Sequence, residues 1–429
     1  MTDKNTVTER VRSELLGEEY TLIHHKSGLD IYVVEKDFSS AYAIFGTRYG
    51  SNDNCFKLKG EAENVCVPEG IAHFLEHKMF EMEDGSDAFE AFAQVGADAN
   101  AYTGGTRTAY LFSCTKDFGY SLRTLLGMVT KPYFTERTVE KERGIIAEEI
   151  KMCEDRPGDA LYYGLLRAVF EKHPVRIPVA GTVESISEIT PELLYRCYNT
   201  FYNLRNMALC ICGNVDIGEI ISIADEMLTE APAFEIERFV PKESENVFKA
   251  RESVRMQVSK PMFRIGVKDL SPYEGGHLHG ETVRALLCEA LFGAGGELFN
   301  ELYEEGLVGG YDAYFATGKS ASMLTVSGDA DDPEAVFERF VAYASKCAEN
   351  GVTDEQFIRA RRVLYAQLVQ SFDSSADIAE GLFSAFVSDL RLFDSADEIY
   401  RVTKEEIDGL AKKLFVPSRY AMSTVYPAE

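Results

Sequence analysis

GIAHFLEHKMF, residues 70–80, and TVRALLCEALF, residues 282–292, decide how this chain is read. Both are apolar along one side at helical spacing, both end in Phe, and Ala285 stands 212 positions after His73. A second matched pair lies further on. ITPELLYRCYNTFYNLRNMAL begins at Ile189, and VTKEEIDGLAKKLFVPSRYAM begins 213 positions later at Val402. Between these anchors each half has a strand pair and then a long helix, TERTVEKERGIIAEEIKM in the first and TDEQFIRARRVLYAQLVQ in the second. Nearly equal offsets at separate places predict a duplicated unit of about 200 residues, a normal size for a domain.

The junction falls near APAFEIERFVPKESENVFKARE, residues 231–252, where charge and two prolines interrupt the periodic pattern. The expected domains are therefore 1–235 and 245–429. Upstream, IYVVEKDFSSAYAIFGTRYGS and TAYLFSCT read as strands by alternation and by aromatic and β-branched content. Strands followed by paired helices, without strict alternation, predict an α+β fold. It consists of two tandem homologous domains, each a largely antiparallel sheet packed with helices.

The 429 residues carry 44 basic and 70 acidic side chains, a net charge of −26. That charge repels phosphate backbones and anionic membrane surfaces, which argues against nucleic-acid or membrane partners. Surface solubility alone accounts for it; an acidic interior favouring basic or neutral substrates is the sharper reading. The opening stretch MTDKNTVTERVRSELLGEEYTL has no apolar core of signal-peptide length. No apolar run approaches the 18 residues of a membrane span. Nine cysteines, an odd number scattered over both halves, do not form a disulfide framework. Cys210 and Cys212, the one close pair, fall on one face of a strand and read as packed thiols. A cytoplasmic location is expected.

Of the seven histidines, only His73 and His77 share a helix with an acidic residue between them, Glu76. At about 100° per residue, His73, Glu76, His77 and Phe80 form one stripe, and Ile71, Phe74, Leu75 and Met79 the other. Histidines four apart can both bind one Zn²⁺, while the carboxylate between them handles protons of the attacking water. A third ligand is required. On KERGIIAEEIKM, Glu142 and Glu149 lie two turns apart on one stripe with Ile145 and Ile146, and Glu148 points away. Two turns are about 10 Å of rise, so one glutamate should ligate and the other orient a ligand. Spacing does not say which.

HxxEH followed by such a glutamate pair resembles the inverted-motif zinc peptidases, the pitrilysin, insulin-degrading-enzyme and mitochondrial-processing-peptidase family. PEGIAHFLEHKMF, GADANAYTGGTRTAYLFS and HPVRIPVAGTVESISEITPELL are similar to that family too. The resemblance covers nearly the whole chain and is nearest to the bacterial half-size, processing-peptidase-like class. It implies a zinc endopeptidase with one Zn²⁺ per chain, held by His73, His77 and Glu149. Glu76 would be the general base and Glu142 the carboxylate behind a ligand. It further implies that ANAYT binds peptide at a sheet edge, placing Asn100 and Ala101 beside the scissile bond. The gap of 72 positions between His77 and Glu149 is a few shorter than is usual in the family, which a shorter inter-helix loop absorbs.

A second departure bears on function. Active family members carry, in the later domain, an Arg seven residues before a Tyr that meets the developing oxyanion. In LFNELYEEGLVGGYDAYF the Arg position holds Tyr303, and Gly310 follows seven later, leaving Tyr311 or Tyr314 as candidate donors. The second half also lacks the metal set: Ala285, Cys288, Glu289 and Gln367 stand where His73, Glu76, His77 and Glu149 do in the first. His277 and His279, in EGGHLHG, read as a solvated turn. The resemblance implies pairing into a clamshell chamber that admits peptides, either as a homodimer or with a related subunit bearing Arg and Tyr. A non-catalytic structural or peptide-holding subunit is the competing expectation. Zinc content and Glu76→Gln discriminate the two.

Overall fold

The computed structural model describes residues 6–318 and 320–428, in two compact units. The first comprises the chain up to Ile150, Pro178–Phe239 and Val369–Phe393. The second comprises Lys151–Ile177, Val240–Leu368 and the chain from Asp394 onward. The junction at 239/240 falls inside the expected linker. The units are nevertheless not the contiguous ranges 1–235 and 245–429, because each half of the chain lends a helix to the other unit.

The first unit is built on a seven-stranded sheet. Its order is Val7–Ser13, Glu18–His24, Asp30–Glu35, Met207–Gly213, Ala41–Thr47, Thr108–Cys114, Asp98–Thr103. The second has five strands in the order Arg251–Met256, Tyr420–Pro427, Met262–Asp269, Ser322–Ala330, Val308–Ala316. The last five strands of the first sheet repeat in the second. Each set begins with one parallel pair and continues antiparallel. This is the duplicated α+β architecture expected from the paired anchors.

The lent helices explain the composition of the central strands. Pro157–Val169 packs on Met262–Asp269 and Tyr420–Pro427, while Ser375–Val387 packs on Ala41–Thr47 and Met207–Gly213. With helices on both faces, all of MALCICG (207–213) is buried, which is why it runs apolar without alternation. Each lent helix has thirteen residues and seats its ninth over a glycine. A Cβ on Gly46 would overlap the Phe383 ring, and one on Gly266 would lie 3.0 Å from both Leu165 methyls. A contiguous reading misses this exchange because an amphipathic helix does not encode which sheet it covers.

Two further expectations are corrected. Cys55 and Cys66 are joined in a disulfide within a small sheet of Ile236–Arg238, Cys55–Leu58 and Val65–Cys66, so not every cysteine is a free thiol. Cys210 and Cys212 are free and fully buried, as packed thiols should be. His277 and His279 are not a solvated turn. They open the helix His277–Phe292, and His279 bridges Glu398 at 2.5 Å and Glu406 at 2.8 Å. No described helix is long and apolar enough to cross a membrane.

Candidate metal centre

The motif helix Ile71–Lys78 starts at Gly70, whose φ of 88° is open to glycine and costly for other residues. A Cβ there would also overlap the Ala180 carbonyl oxygen. Ile71, Phe74, Leu75 and Met79 are buried in the first core, as their stripe predicts. His73 and His77 project from the other side, with ring centroids 4.5 Å apart. Glu76 and Phe80 are also buried, while His73 and His77 are partly exposed.

The acidic helix Glu136–Glu154 docks through Val139, Ile146 and Ile150. Ile145 departs from the expected stripe and is half exposed, and Glu148 is exposed as expected. Docking gives the two glutamates different neighbours. Glu149 reaches both imidazoles, Oε1 lying 3.6 Å from His73 Nε2 and Oε2 3.5 Å from His77 Nε2. Glu142 instead accepts a 3.0 Å hydrogen bond from His77 Nδ1. A carboxylate can only accept there, so Nδ1 carries a proton and Nε2 is the ring nitrogen turned toward Glu149.

Among the described residues, ligand atoms of His73, His77 and Glu149 lie within 4.8 Å of one another. Two imidazoles and a carboxylate match the protein donor set of a catalytic zinc. At His73 the electrostatics favour the same use. Burial, with His77 alongside, lowers His73 to about 3, so its imidazole is neutral as a ligand must be. Its Nδ1 is buried without a partner among the described residues. Burial works to lower His77, but its bond to Glu142 and the carboxylates of Glu76 and Glu149 outweigh that and raise it. Burial would raise Glu142, yet the His77 bond draws it below the usual carboxylate range. These residues fit a small divalent cation.

Glu76 stands beside this set. Burial raises its pKa, opposed by a 2.7 Å hydrogen bond from Thr103 Oγ1 and by nearby His77. Thr103 carried no assigned role in the sequence reading. The available signal was strand alternation, which turns Thr103 toward the motif helix when Tyr102 points the other way. Tyr102 donates at 2.8 Å to Glu380 on the lent helix, and Tyr42 donates to the same carboxylate at 2.9 Å. No sequence signal near the motif could have found Glu380.

Asn100 and Ala101 lie on Asp98–Thr103, the outermost strand of the seven-stranded sheet, with Asn100 Oδ1 accepting from the Ala101 N–H at 2.9 Å. Tyr311 belongs to the second unit. Its hydroxyl is buried without a partner among the described residues, and its ring meets Phe299 edge-on at 5.0 Å. Tyr303 is exposed. Tyr314 is half exposed, and its hydroxyl accepts from Arg264 Nη1 at 3.2 Å.

The profile described as Insulinase (Peptidase family M16) matches residues 62–183, and that described as Peptidase M16 inactive domain matches 188–364. The chain is 40% identical over 416 residues to a Bacillus subtilis (strain 168) protein named uncharacterized zinc protease YmfH, covering 95% of this chain and 97% of that one. A solved structure of a putative M16-like peptidase from Alicyclobacillus acidocaldarius matches with a TM-score of 0.90 and 33% identity over 99% of each chain. Pitrilysin shares the fold at a TM-score of 0.75 and 17% identity, 99% of this chain matching 47% of that one. On these family matches and on relatives aligned over nearly its whole length, the chain belongs to the insulinase family of peptidases, M16.

Proposed function

We propose that this chain is a zinc-dependent endopeptidase that cleaves peptides or small unfolded polypeptides. The observation carrying this is the convergence of His73, His77 and Glu149 beside a buried Glu76. His73, His77 and Glu149 would hold a zinc ion, which would supply Lewis acidity to the scissile carbonyl and to water. Glu76 takes the proton of the attacking water and delivers it to the leaving amine. Thr103 fixes the carboxylate for that transfer, and Glu142 fixes the His77 ring. The free edge at Asn100 and Ala101 offers backbone groups for an extended peptide to pair with, which orients the scissile bond without reading side chains.

Pairing of two such chains into a peptide-admitting chamber is part of this reading, as a homodimer or with a related subunit that brings an Arg–Tyr pair. The non-catalytic alternative draws on Tyr303 in place of the expected Arg and on the buried Tyr311 hydroxyl. A quenched-peptide library tests both readings. The purified chain should cleave, stop when a chelator removes zinc and recover when zinc is returned. Zinc-loaded protein without turnover, alone or with a related subunit, would favour the alternative.

A further inference from the structure

The Cys55–Cys66 hairpin sits at the root of both parts of the candidate site. Just before Cys55, Asp53 accepts from Arg238 Nε at 2.8 Å and from the Gly50 N–H at 2.9 Å. On the turn so formed, the Ser51 and Asn52 N–H groups donate at 2.9 Å to the carbonyls of Gly104 and Gly105. Those glycines follow directly on the edge strand Asp98–Thr103. A Cβ on Gly50 would overlap the Gly104 carbonyl oxygen, so the two turns are in direct contact. Just after Cys66, the Val67 N–H donates to Asn54 at 2.9 Å, and Ser185 Oγ donates to the Glu69 carbonyl at 2.8 Å. Gly70 then opens the motif helix. The disulfide thus ties the segment bracing the edge strand to the segment seating His73 and His77.

The two sides of this tie are not equally held. Cys55–Leu58 has a second strand partner in Ile236–Arg238, whereas Val65–Cys66 pairs with its neighbour at two positions only. Cys66 is the exposed residue of the pair and Cys55 the half-buried one, which directs attack to Cys66. Six of the seven free cysteines are buried, and burial pushes Cys197, Cys212 and Cys288 up to about 12. Thiols in that condition do not compete for exchange.

We propose that Cys55–Cys66 is a thiol–disulfide exchange site, opened by a dithiol reductant, whose state sets how firmly the motif helix and the edge strand are held. One thiolate of the reductant attacks Cys66 Sγ, the S–S bond breaks, and Cys55 leaves as a thiolate that takes up a proton. The second thiol of the reductant attacks its own sulfur in the mixed disulfide and releases Cys66 as a thiol. The chain gains two electrons and two protons, and the dithiol departs as a disulfide.

The test uses the full chain, zinc-loaded, treated with oxidised glutathione or with dithiothreitol. Thiols are counted by alkylation and mass after denaturation, and hydrogen exchange is followed over residues 65–76 and 98–108. The oxidised chain should show seven alkylated thiols and the reduced chain all nine. Reduction should speed exchange in both segments by about threefold or more while leaving Met262–Asp269 unchanged. The double variant Cys55→Ser/Cys66→Ser should exchange at the reduced rate whether or not dithiothreitol is present. Nine thiols after oxidation, or equal exchange in the two states, would overturn the proposal. Any accompanying change in turnover rests on the peptidase reading; the thiol count and the exchange rates do not, so the two can fail separately.

Discussion

Thr103 Oγ1 donates a 2.7 Å hydrogen bond to Glu76 Oε2, joining the end of the edge strand to the carboxylate of the motif helix. The strand that would receive a peptide and the group that would move its protons are thereby one mechanical assembly. Thr103→Val removes the one hydroxyl bond holding down a pKa that burial raises. Because the base must be ionised, the acid limb of kcat/KM against pH should move to higher pH. The bond to a charged group is worth about 1.5–3 kcal/mol, so Thr103→Ser should restore most of the loss.

Glu76→Gln keeps the size and the Thr103 contact but cannot accept the proton. Turnover should fall by about 10²–10⁴-fold while zinc content stays that of the parent. Rate and metal analysis on the same preparation check this.

Glu142 acts through His77. Glu142→Ala should weaken zinc binding by about 10–100-fold, read by competition with a metallochromic chelator. Glu149→Ala removes a ligand outright and should weaken it further.

Gly46 makes room for the Phe383 ring of the lent helix. Gly46→Ala should destabilise the chain by about 1–3 kcal/mol in chemical denaturation. Combined with Phe383→Ala, the loss should be less than the sum of the two single variants, since both act on one contact.

Glu243 and Lys268 form a buried pair at 2.9 Å, and Glu243 also accepts from the Lys172 and His173 N–H groups. Burial opposes ionisation of Glu243, but Lys268 and the two N–H groups prevail and lower it to about 2. A depressed carboxylate contributes stability above its unfolded pKa and loses it as pH falls toward the folded one. Glu243→Gln should therefore cost about 3–5 kcal/mol at neutral pH, and its deficit against the parent should shrink between pH 4.5 and 2.

The histidine pair and the duplication were legible because both are periodic. HFLEH places its side chains by helical spacing, and the matched anchors keep a nearly constant offset. Which glutamate faces both imidazoles was not readable from spacing, because it depends on how the acidic helix docks through Ile146 and Ile150. The lent helices, Glu380 and the Cys55–Cys66 pairing were hidden for a related reason. Each depends on a choice of partner among several that local pattern allows. Ile145 was misplaced by the same limit, its stripe being too broad to separate a buried flank from an exposed one.

The most direct test is a zinc-loaded crystal structure with anomalous data collected at the zinc edge. One zinc per chain is predicted, bound by His73 and His77 nitrogens and a Glu149 oxygen at about 2.0–2.2 Å, with Glu76 outside the coordination sphere. A zinc bound elsewhere, or Glu149 out of reach of an ion held by the two histidines, would contradict the account.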